Sequence, residues 1–291
     1  MKSELDRQYE RLLTAFADIE LIERSLRDHT KERYRSLFEN SERLQSEGLE
    51  SLDASHHNMT FRSLAEGRTI FYRALSRDSK QLRSDLLVHQ NKQYQWLLAD
   101  AYEWFADYIE FAYAAGGHAI TTLWRPFELR KLQEAHGANP SLDEYLEFSA
   151  NSRETGDVFE KLNRFRTVFK TFRAAEERNL NYRSTRFVLV LVEMLRHVIV
   201  HNSGRVRDKQ AFIERTLSRA GASLTGKDGS VFVAQINHFL ATLHGESVVH
   251  LLDVRSTEIP GAYASRIGVL LDLLLAYANF IHSEILSPAA S

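Results

Sequence analysis

The chain has no cysteine among its 291 residues, and it has only 4 prolines and 13 glycines. The absence of cysteine excludes disulfides and every metal site or nucleophile that depends on a thiolate. The scarcity of proline and glycine favours long, uninterrupted helices. Hydrophobic runs are short as well: the longest are Phe187–Val192, Gly268–Leu271 and Leu273–Ala278, too short to span a bilayer. The first residues are polar and contain no secretory apolar core, so we expect a cytoplasmic protein that contacts no membrane.

Motifs of several common enzyme classes are missing too. The sequence contains no glycine-rich phosphate loop, no Gly-x-Ser-x-Gly elbow and no Rossmann fingerprint. These absences argue against an enzyme that hydrolyses nucleotides or transfers hydride. Any chemistry must therefore come from other residue patterns.

Apolar residues recur every three or four positions through most of the chain, which is the pattern of amphipathic helices. Glycine, serine and histidine cluster at residues 48–58 and predict a break, after which helical patterning resumes from Phe61 to Leu75. The fold class that we expect is therefore all-α: a helical bundle with an N-terminal helical extension and a small irregular insertion near residues 219–262. We place the extension at residues 1–60 and the main helical domain at residues 61–291. Further predictions are an aromatic helix over 90–115 that ends at Gly116-Gly117, helices over 158–177, 184–202 and 264–285, and a short strand at Val231–Val233.

The segment Glu193–Asn202 holds the most informative residues in the chain. On a helix, with Glu193 at zero, Arg196 falls at about 300°, His197 at about 40° and His201 at about 80°, so these polar groups share one stripe. The surrounding residues are so apolar that the helix belongs in the core. Burial of Glu, Arg and His is costly unless these groups are paired or used in chemistry, and this conflict is typical of a functional site.

The spacing Arg-x4-His is a weak pattern when it is taken alone. Arg24 and His29 share it, but they lie on the polar N-terminal helix, where exposed charges are ordinary. Only Arg196 and His201 have it within an apolar helix that carries further polar residues. Position alone leaves a structural and a functional interpretation of this pair equally open.

The order Glu193-x-x-Arg196-His197-x-x-x-His201-Asn202 resembles the signature of the HEPN superfamily (higher eukaryotes and prokaryotes nucleotide-binding). That signature is an arginine, a polar residue, a short spacer and a histidine, often with an acidic residue three before the arginine. The resemblance covers at most residues 90–205. It implies a HEPN-like helical bundle, a metal-independent endoribonuclease and a homodimer that pairs two motifs across its interface. It also implies a toxin or antiviral defence effector, with an inhibitory or antitoxin protein as a further partner.

The residue types fit cleavage of RNA, which differs from DNA by its 2′-hydroxyl. His201 is the candidate base that removes the hydroxyl proton, because imidazole titrates near neutral pH. Arg196 is the candidate for stabilising negative charge on the phosphate, because its planar guanidinium is always charged. No metal or other cofactor is required, and the products would be a 2′,3′-cyclic phosphate and a 5′-hydroxyl.

Three neighbouring residues are predicted to support the catalytic pair. Glu193 and His197 either orient the site, by pairing with Arg196 or polarising an imidazole, or form a satisfied buried ion pair. Asn202 is either a site residue or a helix cap. Both interpretations stay open for each of the three.

A basic surface is predicted to hold the RNA backbone, with Arg186, Arg205, Arg207 and Lys209 as the binding candidates. The net charge of the chain is only −2, yet residues 161–186 carry eight lysines or arginines and two glutamates. Such a block indicates a local anion site, although a charge run is more often a solvated face. Its further basic candidates are Arg164, Arg166, Lys170, Arg173, Arg178 and Arg183.

Two other functions remain as alternatives. Glu193, His197 and His201 are four residues apart, a spacing that zinc and iron sites use, but no second helix offers matching ligands. A helical bundle can also act as a non-catalytic interaction module, for which the aromatic and N-terminal helices offer surfaces. The sequence therefore predicts a ribonuclease, with an interaction module and a metal-binding helical protein as the competing interpretations.

Overall fold

The chain divides into two compact units, a larger one of residues 1–20 and 94–291 and a smaller one of residues 21–93. Helices make up most of both units and the strands are short, so the predicted all-α class is confirmed. The structure is a computed structural model, and it describes residues 2–177, 184–226, 228–243, 245–255 and 263–286.

Helices and strands follow one another along the chain with mostly short connections. The helices are α1 (Lys2–Ser46), α2 (Ser79–Ala119), α3 (Pro126–His136), α4 (Leu142–Ala150), α5 (Ser152–Thr155), α6 (Val158–Val168), α7 (Lys170–Glu177), α8 (Thr185–Asn202), α9 (Lys209–Ala220), α10 (Gly229–His238) and α11 (Arg266–Leu286). The strands are β1 (Ser55–Arg62), β2 (Thr69–Arg77), β3 (Arg205–Val206), β4 (Leu240–Leu243), β5 (Glu246–Val249), β6 (Val254–Arg255) and β7 (Tyr263–Ala264). They pair antiparallel in the orders β1-β2, β3-β5-β4 and β6-β7.

In the smaller unit, a β-hairpin occupies the stretch for which we predicted helical patterning. The helix α1 ends at Ser46, in line with the predicted break, but residues 61–75 belong to the hairpin β1–β2. The predicted helix is therefore wrong. The run Thr69–Tyr72 is β-branched or aromatic throughout, which favours extended backbone, and Gly67, with φ of 66°, lies in the turn. Residue 60, where we placed a domain boundary, falls inside β1.

Buried residues of the larger unit concentrate on α2, α8 and α11. These helices match the predicted ranges 90–115, 184–202 and 264–285, and the aromatic side chains of α2 are largely buried as expected. The helix α2 continues past Gly116 and Gly117, so the predicted stop there is wrong. A Cβ at Gly117 would lie 2.2 Å from the indole nitrogen of Trp124. The glycine thus makes room for a buried side chain instead of ending the helix.

The predicted helix over residues 158–177 consists of two helices, α6 and α7, that separate at Phe169. The break allows Arg166 of α6 to meet Glu176 of α7 through two hydrogen bonds of 2.7 Å. The hydroxyl of Tyr277 on α11 also donates a hydrogen bond to this carboxylate, at 2.6 Å. In one straight helix the two charged residues would lie about 15 Å apart along the axis, so the pair requires the break.

The segment near residues 219–262, which we predicted to be irregular, contains a helix and strands. Residues 231–233, predicted as a strand, lie in α10, so that prediction is wrong. A run of three apolar residues does not distinguish strand from helix, and here Phe232 stacks on Phe187 of α8 with 4.3 Å between ring centroids. The strands β4 and β5 extend the sheet from β3. Residues 256–262 lie outside the described residues.

Among the described residues, α11 is the one helix that is long and apolar enough to cross a bilayer by length and composition alone. The uninterrupted hydrophobic runs within this helix are much shorter than the helix itself, because Asp272 separates them. Eight residues of α11 are buried inside the protein, which is the pattern of a core helix. They are Ile267, Leu270, Leu271, Leu274, Tyr277, Ala278, Ile281 and Ile285.

His250 follows β5 and lies partly buried beside Arg266, at the start of α11. The Nη1 of Arg266 lies 2.6 Å from Nδ1 of His250 and donates another hydrogen bond to the carbonyl of Leu252 at 3.1 Å. Burial, the charge of Arg266 and the nearby His238 lower the pKa of His250 to about 4. The imidazole is therefore neutral in the folded protein at pH values where an unfolded histidine, with a pKa of about 6.5, is already protonated.

We expect the free energy of unfolding to decrease as pH falls from about 7 towards 4, because the unfolded chain binds a proton at His250 before the folded protein does. His250→Asn removes this titration and keeps an acceptor for Arg266, so its unfolding free energy should depend less on pH in that window. Urea denaturation followed by circular dichroism measures both slopes. His29→Asn, on an exposed face of α1, is the control, and equal slopes for parent and His250→Asn would contradict the expectation.

Candidate active site

The helix α8 carries most of the predicted site residues, and its ends are defined by capping interactions. The hydroxyl of Ser184 accepts a hydrogen bond from the amide of Phe187 at 3.4 Å. Ser203 ends the helix in the left-handed conformation, with φ of 52°, so Asn202 is the last helical residue and not the cap. The apolar face of the helix is buried through Phe187, Leu189, Val190, Leu191, Val192, Leu195, Val198 and Ile199.

The polar stripe of α8 lies at the surface of the larger unit. The expected burial is wrong for the two histidines, whereas Glu193 and Arg196 are partly buried. His197 and His201 are exposed, and the side chains of Glu193 and Arg196 keep 23% and 27% of their accessible surface. A stripe about 140° wide leaves enough of the circumference for one buried apolar face. The two histidines therefore need no compensation for burial, and the partly buried Glu193 and Arg196 each have an ion-pair partner.

Arg196 pairs with Glu103 of α2, and not with Glu193 as one interpretation of the sequence had it. Both Nε and Nη2 of the guanidinium donate to Oε1 of Glu103, the Nε at 2.8 Å. The guanidinium also lies 5.9 Å from the ring centroid of Tyr102. A phosphate that binds Arg196 must therefore compete with a carboxylate for the same donors.

Glu193 has a different partner, Arg219 of α9. The guanidinium donates to the two carboxylate oxygens of Glu193 at 2.9 and 2.6 Å and to Asp157 at 2.7 Å. These carboxylates raise the pKa of Arg219, with the hydrogen bond that it donates to Glu193 as the largest cause. Asp157 also caps α6 by accepting from the amide of Glu160 at 2.9 Å. Glu193 therefore ties α8 to α9 and to the start of α6.

The two histidines of the stripe lie next to each other on the exposed face. Their ring centroids are 4.5 Å apart, with the ring planes inclined by 52°. Desolvation lowers the pKa of His197, and the neighbouring His201 and Arg196 lower it further. His197 is thus held more readily in its neutral form, as an acceptor or donor beside His201.

A groove of about 670 Å³ opens at the C-terminal end of α8. It brings together five of the predicted residues from three consecutive elements, since His201 and Asn202 end α8, Arg205 and Arg207 lie in and after β3, and Lys209 begins α9. Its one acidic lining residue, Glu246, pairs with Arg205 at 3.4 Å. The complete lining is His201, Asn202, Ser203, Arg205, Val206, Arg207, Lys209, Gly245, Glu246 and Ser247.

Gly204 fixes the position of this groove. From the sequence, this glycine indicated only the end of the helix. Its φ is 76°, and a Cβ there would lie 2.3 Å from Oε1 of Gln95 on α2. The Gln95 amide is buried and donates to the carbonyl of Val249 at 2.6 Å, and Val249 in turn donates to the carbonyl of Gly204 at 2.8 Å. The chain that carries Arg205 into β3 is thereby held against α2 and β5.

Arg186, a predicted RNA-binding residue, does not line the groove. Its guanidinium lies 5.6 Å from the ring centroid of Phe159, where Arg166 and Arg219 lie at 5.3 and 5.4 Å. Its Nε is buried and has no hydrogen-bond partner in the described part of the chain. Arg186 therefore belongs to a cluster of three guanidinium groups around one ring.

Four of the described basic side chains in the block 161–186 have partners within the protein, which weighs against its interpretation as an anion site. Arg178 and Arg183 lie outside the described residues. Lys161 is buried and donates to the carbonyl of Ser149 at 3.3 Å, and Arg164 donates to the carbonyls of Leu123 and Thr122. Arg166 pairs with Glu176, and Arg173 pairs with Glu177.

The spacing of Glu193, His197 and His201 does not assemble a set of metal ligands in the described residues. No group of three His, Asp or Glu side chains there is close enough to hold a metal ion. The carboxylate of Glu193 is occupied by Arg219. The metal-binding alternative therefore has no supporting geometry in the part of the chain that is described.

Comparisons of the chain with protein-family models, with curated proteins and with solved structures found no significant match. The resemblance to the HEPN superfamily thus depends on the short motif in Glu193–Asn202 alone. A function for this chain has to be argued from the geometry of α8 and of the groove at its end.

Proposed function

We propose that the protein is a metal-independent endoribonuclease of the HEPN type, with His201 as the general base. The observation that carries this proposal is the groove at the end of α8, in which an exposed imidazole adjoins three basic side chains. Arg207 and Lys209 have no ion pair among the described residues, so their charges are available to a polyanion. Cations that neutralise phosphates supply most of the affinity of non-specific nucleic-acid binding.

The reaction needs one proton acceptor and a means of stabilising charge on phosphorus. His201 removes the proton of the 2′-hydroxyl, and the 2′-oxygen forms a bond to the adjacent phosphorus. The bond from phosphorus to the 5′-oxygen breaks, and that oxygen takes up a proton from water. The products are a 2′,3′-cyclic phosphate and a 5′-hydroxyl, and the cations of the groove hold the phosphate oxygens throughout.

The position of Arg196 supports a homodimer. Four residues lie between it and His201, so the two side chains point about 140° apart around α8 and do not converge on one phosphate within a chain. A two-fold axis beside the exposed stripe would bring Arg196 of the partner subunit to the groove that contains His201. The toxin or defence role and an inhibitory protein partner stay predictions from the resemblance.

A non-catalytic interaction module is the second candidate function. The observation that favours it is the ion pair between Arg196 and Glu103, which satisfies the guanidinium without any RNA. In that case α8 would present a surface for a protein partner, and its histidines would have no chemical role. The two candidates differ in what happens to RNA when His201 is changed.

His201→Ala should lower the rate of RNA cleavage by about a hundred- to ten-thousand-fold, the usual effect of losing a general base. Because His201 is exposed, the circular dichroism spectrum and the melting temperature should stay close to those of the parent. EDTA should leave cleavage by the parent intact, and the products should carry cyclic phosphates. His29→Ala, which has the same spacing from an arginine but lies on α1, is the matched control. Full activity of His201→Ala, or loss of parental cleavage in EDTA, would contradict the assignment.

Arg196→Ala should abolish cleavage at little cost in stability, about 0–1 kcal/mol, because its ion pair with Glu103 is solvent-exposed. Glu193 keeps its own partner, Arg219, in this variant. Glu103→Gln should raise the affinity for RNA, since it removes the carboxylate that competes with phosphate for Arg196. Filter binding at low salt and urea denaturation measure the two effects. Asp85→Asn removes a similarly exposed ion pair, with Arg77, and is the control for a general change in charge.

Mixing the inactive Arg196→Ala and His201→Ala chains should restore part of the activity if each site draws residues from two chains. Random reassociation of equal amounts makes half of the dimers mixed, and each mixed dimer has one complete site. The expected rate is therefore about one quarter of the parental rate. Light scattering gives the oligomeric state in the same solution. A monomer that cleaves RNA, or a mixed dimer without activity, would exclude the shared site.

A further inference from the structure

The hairpin β1–β2 of the smaller unit exposes large aromatic side chains on a two-stranded ribbon. Phe61, Phe71 and Tyr72 keep 51%, 57% and 60% of their accessible surface. A two-stranded hairpin is marginally stable in water unless something covers a face. Exposed rings in this setting therefore indicate a ligand-binding surface and not a hydrophobic core.

One face of the hairpin gathers two rings and an arginine that has no ion pair among the described residues. Met59 is opposite Arg73 in the register, and Phe61 follows two residues after Met59, so all three share that face. The register then shifts, because Thr60 is opposite Phe71, and Tyr72 becomes the extra residue of a β-bulge. The bulge places the Tyr72 ring beside that of Phe61, with 6.0 Å between the centroids.

The charge of the hairpin selects among possible ligands. Residues 55–77 carry four arginines and one glutamate. Glu66 pairs with Arg68, and Arg77 pairs with Asp85, whereas Arg73 has no carboxylate within ion-pair distance among the described residues. A second copy of this face would bring like charges together, which is unfavourable, whereas a polyanion complements them.

We propose that the face formed by Phe61, Tyr72 and Arg73 binds single-stranded RNA. Unpaired bases stack on the two rings, and Arg73 neutralises the adjoining phosphate. Single strands fit because a duplex hides its base faces in the stack, whereas exposed aromatic rings need unstacked bases. The inference rests on the proposed function in that RNA is the substrate, but it concerns binding by a second surface and not cleavage.

Binding of a fluorescently labelled, unstructured RNA oligonucleotide to the full chain tests this face, and His201→Ala in every sample removes cleavage from the measurement. Phe61→Ala with Tyr72→Ala should weaken binding about tenfold or more, because each base–ring stack is removed. Arg73→Gln should weaken binding and reduce the slope of log affinity against log salt by about 0.7. Phe61→Tyr with Tyr72→Phe should keep the parental affinity, which separates loss of the rings from loss of the hairpin.

Phe71→Ala is the matched control, since Phe71 is a similarly exposed ring opposite Thr60, on the other face. Its RNA affinity should stay close to that of the parent. Unchanged affinity in the double alanine variant, or an equal loss in Phe71→Ala, would overturn the proposal. So would a double variant that dissociates into monomers in light scattering with its RNA affinity intact, because the face would then bind a second copy. If the chain with His201 intact cleaves no RNA while the hairpin variants still lose binding, the proposed function fails and this inference stands.

Discussion

Burial of one apolar face of α8 determines where every proposed site residue lies. Eight side chains of this helix are buried, and each fully buried aliphatic or aromatic group contributes about 1.5–3 kcal/mol. That burial fixes the rotation of the helix about its axis, so the opposite stripe must face solvent. It also fixes where the helix ends, because the residues after Asn202 turn directly into the strand and helix that line the groove.

The spacing of apolar residues predicted the long helices well. Those residues form the buried core, and their spacing of three or four positions recurs along each long helix. The same spacing failed to predict the hairpin. A few apolar residues there lie at helical spacing, but a short run of β-branched and aromatic residues favours extended backbone. The spacing also failed at residues 158–177, where an ion pair between Arg166 and Glu176 requires a break that no local preference indicates. In each case a tertiary contact or a short run decided the structure.

The composition of the candidate site was readable from the sequence, whereas its pairings were not. The spacing along α8 gave the order of Arg196, His197 and His201, and the groove does contain Arg205, Arg207 and Lys209. Arg196 binds a residue 93 positions away and Glu193 one 26 positions away. No spacing rule specifies such partners, and the burial that we expected for the stripe is incomplete because α8 packs with one face only.

The close contact at Gly204 couples the backbone that leads into the groove to a buried side chain of α2. A side chain at position 204 would clash with the Gln95 amide and would require a φ of 76°, so it would disturb the hydrogen bond from this amide to Val249 of β5. Arg205 would then change position although Arg205 itself is not substituted. In a mutational scan, substitutions of Gly204 would therefore resemble substitutions of the groove residues themselves. Gly204 has no functional group, so its sensitivity to substitution would reflect the backbone conformation and the space beside Gln95.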